Sequence, residues 1–376
     1  MTKIARIEPI PIEYPDPNDF GTIRRTVLVR VETSDGVVGW GECIAMWPEA
    51  CKAVAVVISG GLEPLLRDHL AEDIDGAWVK MRRHVFWYGE GGIASMAISG
   101  IDMALWDIRG KAANLPLYKL LGGSRRRIPA YAGGIALGFQ AKESLAQEAQ
   151  RYVSQGYRAL KLRIGDSARA DIERVIHVRE VLGDDIDILT DANTAYTIAD
   201  VRRVLPVLAD IKAGWLEEPF ACNDFASYRA AVAITPLVPI AAGENHFTRF
   251  EFAQMIESGA VQVWQPDLSK TGGITEGIRI AAIASAWRIP LHAHSSATGI
   301  NHAATLHFLA ATENAGYFES CVSEFNPLRD MFGKAYAIGP DGCVEPPQGP
   351  GLGIDVDEAL FERYPLIDGP GYVVKF

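Results

Sequence analysis

From Ile128 onward the chain alternates short apolar runs with helix-like segments at an almost fixed interval, and few folds tolerate that rhythm. The apolar runs are Ile128–Tyr131, Ala159–Leu162, Ile186–Thr190, Ala213–Leu216, Leu237–Ala241, Val261–Trp264, Ile289–Ala293 and Gly316–Phe318. From Ala159 on, successive starts fall 24 to 28 residues apart, the length of one strand, one loop and one helix. Such spacing predicts parallel strands joined by helical crossovers. Eight units predict closure into an α/β barrel of the (β/α)8 TIM type. The competing doubly wound sheet calls for a G-x-G-x-x-G turn after its first strand, which the sequence lacks.

The flanks read differently. Ile4, Ile7 and Ile10 and the run Thr26–Val31 carry strand signals, and Ser34-Asp35-Gly36 before Val37-Val38-Gly39-Trp40 is a hairpin signal. Between Pro48 and Leu121 the period becomes helical, with Ile98, Ile101, Leu105 and Ile108 on one face until Gly122-Gly123 ends the run. The expected organisation is an α+β capping domain over residues 1–125 and a catalytic barrel over 126–325. A Gly- and Pro-rich tail, 326–376, is expected to pack back onto the cap and complete it.

Composition narrows the partners. With 36 Lys and Arg against 47 Asp and Glu, the net charge of −11 gives no attraction to phosphate backbones or anionic lipid. At 48% hydrophobic and 22% charged, the chain has the balance of a globular protein. No run reaches the roughly 18 apolar residues of a membrane span, and the N-terminal stretch lacks the apolar core of a signal peptide. The five cysteines are widely separated with no C-x-x-C pair, so neither a disulfide framework nor a thiolate zinc site is expected. These features point to a cytoplasmic protein that binds neither nucleic acid nor membrane.

In a barrel of this kind, chemistry sits where strands end and βα loops begin. The ends are unusually polar: Lys161-Leu162-Arg163, Asp191-Ala192-Asn193, Glu217-Glu218-Pro219, Gly243-Glu244-Asn245, Pro266-Asp267, His292-Ala293-His294 and Glu319. Asp191, Glu217 and Glu244 come from three successive strands, so closure would converge three carboxylates on one point. Any one of them alone reads as a loop residue or a helix cap. Together they would repel one another unless a cation lay between them. Oxygen-only ligands suit a hard ion, and a cage with open positions suits magnesium better than zinc. A zinc pair at His292 and His294 is disfavoured by its place on the seventh strand. Gly89-Glu90-Gly91-Gly92 reads as a turn rather than a phosphate loop.

The run of Lys161-x-Arg163, Asp191, Glu217 in WLEEP, Glu244 in GEN, Asp267 in PD and His294 resembles the enolase superfamily, and within it the mandelate racemase subgroup. The likeness extends to ISGIDMALWDIRGK and Leu121-Gly122-Gly123, so it spans nearly the whole chain. It implies a modified (β/α)7β-like barrel and an enzyme with one Mg2+ per active site that removes a proton α to a carboxylate and stabilises the enediolate. It further implies Asp191, Glu217 and Glu244 as metal ligands, His294 and Asp267 as a dyad and Glu319 as an electrophilic acid. In physical terms, Lys161 or Arg163 adds positive charge for the developing dianion, Asp267 fixes the His294 tautomer, and a protonated Glu319 donates to a substrate oxygen.

Two details narrow the reaction. The muconate-lactonizing and dipeptide-epimerase branch carries a basic lysine late in the barrel, where this chain has Asp267 and His294. Many mandelate racemase relatives carry Lys-x-Lys, whereas the second position here is Arg163, whose guanidinium is a poor proton shuttle. Racemisation needs a base on each face of the carbon, while dehydration can use His294 alone. Lys161 remains a candidate second base if a neighbouring cation lowers its pKa, and Lys270 reads as a supporting residue rather than a base. The expectation is an acid-sugar dehydratase, a homo-oligomer acting on a small carboxylate. Same-site alternatives are a racemase or epimerase and a lactone cycloisomerase, and a different-class alternative is a non-catalytic carboxylate-binding protein. Asn193, His246, Trp47 and the segment from Tyr14 to Phe20 are candidate substrate contacts.

Overall fold

A computed structural model describes residues 2–16, 22–295, 298–330 and 336–366. Residues 17–20 of the candidate substrate segment, and 331–335 and 367–376 of the tail, lie outside the described residues. The chain opens with three antiparallel strands, β1 (Ile4–Asp16), β2 (Thr22–Thr33) and β3 (Val38–Cys43), in sequential order. The Asp35-Gly36 turn joins the last two, with Gly36 at φ 86° as a tight hairpin requires.

One face of this sheet packs on helices Pro48–Val56, Ile74–Val85 and Ile93–Ala113, where Val27, Val29, Ile98, Ile101 and Leu105 form a common core. Glycine sets the spacing. A Cβ on Gly41 would stand 1.9 Å from the Gly100 carbonyl oxygen, and one on Gly39 would stand 2.2 Å from that of Ala104. The strand and the long helix therefore touch backbone to backbone.

Residues 128–321 form a closed parallel sheet through β4 (Ile128–Gly133), β5 (Ala159–Arg163), β6 (Asp187–Asp191), β7 (Leu216–Glu217), β8 (Ile240–Ala242), β9 (Val263–Trp264) and β10 (Phe318–Cys321). The expected strand Ile289–Ala293 is corrected to isolated bridges. Leu291 pairs with Trp264 on one side and Ala315 on the other, and His294 pairs with Asp267. Pro290 has no N–H to give to a ladder. The segment still closes the ring, since the His292 N–H donates to the Trp264 carbonyl at 2.8 Å and the Gly316 N–H to that of Leu291 at 2.8 Å. With β10 paired to β4, eight staves complete the barrel.

The tail touches both layers. Its strand β11 (Cys343–Val344) pairs with β4, while Pro365 bridges Ile12 and Phe361 packs on Trp40 at 5.6 Å between ring centroids. All five cysteines are free. Among the described residues no helix is long and apolar enough to cross a membrane.

Period-two alternation layers the barrel interior. Tyr131, Ala159, Leu189, Trp215, Ala241 and Val263 make one closed apolar tier, sealed by Tyr317. His292 belongs to this plug: its ring centroid lies 4.9 Å from that of Trp215, and its Nδ1 accepts from the Tyr317 N–H at 2.8 Å. Two residues further along, six of the eight staves present Lys161, Asp191, Glu217, Gln265, His294 and Glu319, and the other two have Gly133 and Gly243. The apolar tier thus floors a polar one.

Candidate active site

Asp191, Glu217 and Glu244 each offer a carboxylate oxygen within 4.8 Å of the others. Asp191 is held by its own loop: the Asn193 N–H donates to its Oδ1 at 2.8 Å and the Asn193 amide to its Oδ2 at 3.1 Å. Asn193 sits at φ 40°, a left-handed conformation asparagine tolerates. Its Oδ1 accepts from Arg163 at 3.1 Å, so Asn193 couples Arg163 to the cage. Glu217 is fixed from below by the Trp215 indole N–H at 3.1 Å and the Gln265 amide at 2.7 Å. Glu244 accepts from Asn245 at 3.2 Å, and Asn245 is itself oriented by Lys270 at 2.6 Å. Glu218 turns away at φ 35° and accepts from the Asn245 amide at 2.6 Å.

Lys161 spans the cage, with its ammonium 2.9 Å from Glu217, 3.0 Å from Glu319 and 3.5 Å from Asp191. Burial alone would lower its pKa, but Glu217 and Glu319 overcome it and hold the ammonium well above its ordinary range. Carboxylates dominate the groups that shift it, so a role for Lys161 as second base would need a cation beside Glu217 and Asp191. Burial would raise Glu319, yet Lys161 and then His294 hold it below the usual carboxylate value, the opposite direction from that of the expected protonated acid.

Across the cage, the His294 Nδ1–H donates to Asp267 at 2.6 Å, while its Nε2 faces Glu244 at 2.9 Å and Glu319 at 3.7 Å. Burial would lower the imidazole, but Glu244 and Glu319 raise it well above its ordinary value. Asp267 is completely buried, and its second oxygen accepts from the Ser269 N–H at 2.7 Å and hydroxyl at 2.6 Å and from the Asn301 amide at 3.2 Å. Against the penalty of burial, His294 and then Ser269 hold Asp267 below the usual range.

The donor set fits a hard divalent cation. Glu217 is pushed up to about 8 by burial and, despite Lys161, by Asp191 and Glu244, and Asp191 is raised as well. Glu244 goes the other way, held below the usual carboxylate range by His294 against the penalty of burial, so of the three it is Glu217 and Asp191 that are short of positive charge. All three candidate ligands are oxygens, as magnesium requires.

The His246 Nε2–H donates to the Cys222 carbonyl at 3.0 Å, and its ring packs between Phe225 and Phe252; burial lowers it to about 4, so it stays neutral. Trp47 precedes the helix Pro48–Val56. Tyr14 lines a cavity of about 50 Å³ with Arg24, Ile135 and Cys321, between cap and barrel. In Gly89–Gly92, Glu90 pairs with Arg82 at 2.8 Å and Gly92 starts the long helix.

Sequence reasoning missed Trp215, Gln265, Ser269 and Asn301. The first two carried a signal: each lies two residues before an inward acid, so period two turns them inward as well.

Residues 4–122 match the mandelate racemase / muconate lactonizing enzyme N-terminal domain family, and residues 144–360 the enolase C-terminal domain-like family. The chain is 39% identical to arabinonate dehydratase of Saccharolobus solfataricus over 90% of both chains. Other curated relatives include D-gluconate and D-galactonate dehydratases and a D-galactarolactone cycloisomerase. Among solved structures, an enolase superfamily member from Polaromonas sp. JS666 is 68% identical, with a TM-score of 0.96 over 99% of this chain and 100% of that one. A racemase from Streptomyces coelicolor A3(2) with bound magnesium is 32% identical, with a TM-score of 0.86 over 96% and 99%.

Proposed function

The chain belongs to the mandelate racemase / muconate lactonizing enzyme family of the enolase superfamily, and from that membership we propose a magnesium-dependent dehydratase of sugar acids. Asp191, Glu217 and Glu244 would hold the ion. When bound, it supplies a fixed divalent charge beside the substrate carboxylate as negative charge develops there.

The observation that carries the reading is the geometry of the dyad: His294 is tied through Nδ1 to the buried Asp267 at 2.6 Å and turns Nε2 towards the cage, while Lys161 sits among Glu217, Glu319 and Asp191. One base then serves both halves of the reaction. His294 Nε2 takes the C2 proton and returns it to the C3 hydroxyl, which leaves as water; the resulting enol becomes a 2-keto-3-deoxy acid by taking one solvent proton at C3 and giving up its C2 hydroxyl proton. Asp267 holds the tautomer that aims Nε2 at the substrate. Lys161 and Arg163 offset substrate charge, and Glu319 lies within reach of both Lys161 and His294.

Incubating the protein and magnesium with arabinonate, D-gluconate and D-galactonate tests the reading by mass. A product lighter by one water supports dehydration. A product of unchanged mass points to an epimerase or cycloisomerase, and binding without product to the non-catalytic alternative.

A further inference from the structure

The dyad has a support that reaches it from the capping domain. Glu42, at the end of β3, is completely buried. One of its oxygens accepts from the Thr298 hydroxyl and from the Asn301 N–H at 3.2 Å, so it caps the first turn of the helix Gly299–Ala311. The side chain of Asn301 is committed at both ends. Its Oδ1 accepts from Thr305 at 3.2 Å, which turns the amide NH2 onto Asp267 at 3.2 Å. Asp267 in turn accepts from His294. Four residues from three separate regions of the sequence thus form one hydrogen-bonded line: Glu42, Asn301, Asp267, His294.

We propose that Glu42 is a positioning residue for the His294–Asp267 dyad, acting through Asn301. Two groups set the rotamer of Asp267: Ser269, two residues along the same loop, whose carbonyl accepts from the Ile44 N–H at 3.3 Å, and Asn301, which is anchored to a different helix and, through Glu42, to the cap. A carboxylate held from outside its own loop keeps its free oxygen on Nδ1, and that contact selects the reactive tautomer of His294. The capping domain therefore contributes to proton transfer without touching the substrate. The inference rests on the dyad reading above but not on which acid is the substrate.

The test uses the full-length protein loaded with magnesium and two readouts. The first is the downfield proton resonance of the His294 Nδ1–H, assigned by its loss in His294→Asn. The second is the split between kcat and KM on whichever of arabinonate, D-gluconate or D-galactonate the wild type converts. Glu42→Ala and Asn301→Leu are expected to lose or shift the resonance and to lower kcat roughly 10- to 100-fold with KM within about twofold. Their effects should not add in the double variant, because both cut one line. Glu42→Gln keeps an acceptor for Thr298 and Asn301 and is expected to stay close to wild type. Asn301→Leu leaves the Glu42 cap in place, so it remains informative if Glu42→Ala does not fold. A wild-type resonance in Asn301→Leu overturns the proposal, as does a kcat loss in Glu42→Ala that adds fully to that of Asn301→Leu. Failure of the wild type to convert any acid would count against the dehydratase reading alone, since the resonance is read without substrate.

Discussion

Lys161 and His294 face each other across the cage, and both lie within reach of Glu319. Their partners separate them. Lys161 is held by Glu217, Glu319 and Asp191, whereas His294 is tied through Nδ1 to Asp267 and turns Nε2 towards the cage; carboxylates raise both groups against the penalty of burial. His294→Asn should therefore lower turnover by roughly 10²- to 10⁴-fold while magnesium affinity changes little; matched losses in calorimetry and turnover would make the residue structural instead. Glu217 is raised to about 8, so the cage holds protons at and below neutral pH that a metal must displace. Magnesium affinity should rise between pH 6 and pH 8.5, with proton release visible as a dependence of binding heat on buffer ionisation enthalpy.

At the scale of elements, the long helix Ile93–Ala113 carries a polar stripe at Ser95, Ser99, Asp102 and Trp106, spaced four, three and four residues apart. Each member grips the loop that follows Asp267: Ser95 donates to the Lys270 carbonyl at 2.8 Å, Ser99 accepts from the Gly272 N–H at 2.8 Å, Asp102 accepts from that of Thr275 at 2.9 Å, and Trp106 donates to the Thr275 hydroxyl at 2.9 Å. Burial raises Asp102 to about 7 in spite of Thr275. Between roughly pH 4 and pH 7 the folded protein thus keeps a proton that the unfolded chain has released, and stability falls as pH rises. Asp102→Asn should flatten that part of the stability curve, measured by denaturant unfolding at pH 5 and pH 7.5. On the other face of the helix, Gly41→Ala would drive a methyl into the Gly100 carbonyl and should cost at least about 1–3 kcal/mol in the same assay.

Elements also show what could be read in the chain and what could not. The barrel rhythm and the strand-end acids were legible because period-two and βα repeats are local. The short β7, β8 and β9 and the bridged seventh stave were not, since ladder length depends on how tilted neighbours meet rather than on apolar runs. Glu42 and Asn301 meet across 259 residues of sequence, with no periodicity to announce it. The directions in which Lys161 and Glu319 are shifted have a related origin: they are set by the summed field of groups from several staves.

For the whole molecule, the charge of −11 would repel an anionic substrate at long range. The proposed site would reverse that locally, its acids gathering a cation beside Lys161 and Arg163. Part of the acidic excess would thus be the means by which an anion is bound. Magnesium at 100 times its dissociation constant should stabilise the fold by about 2.7 kcal/mol, seen as a higher thermal midpoint that Glu244→Ala abolishes. The central claim, one-base chemistry by His294 at a magnesium site, is tested most directly by exchange of the C2 proton of a bound sugar acid in deuterated water. Wild-type protein with magnesium should exchange it and His294→Asn should not; exchange that survives in His294→Asn would place the base elsewhere, with Lys161 the group in reach.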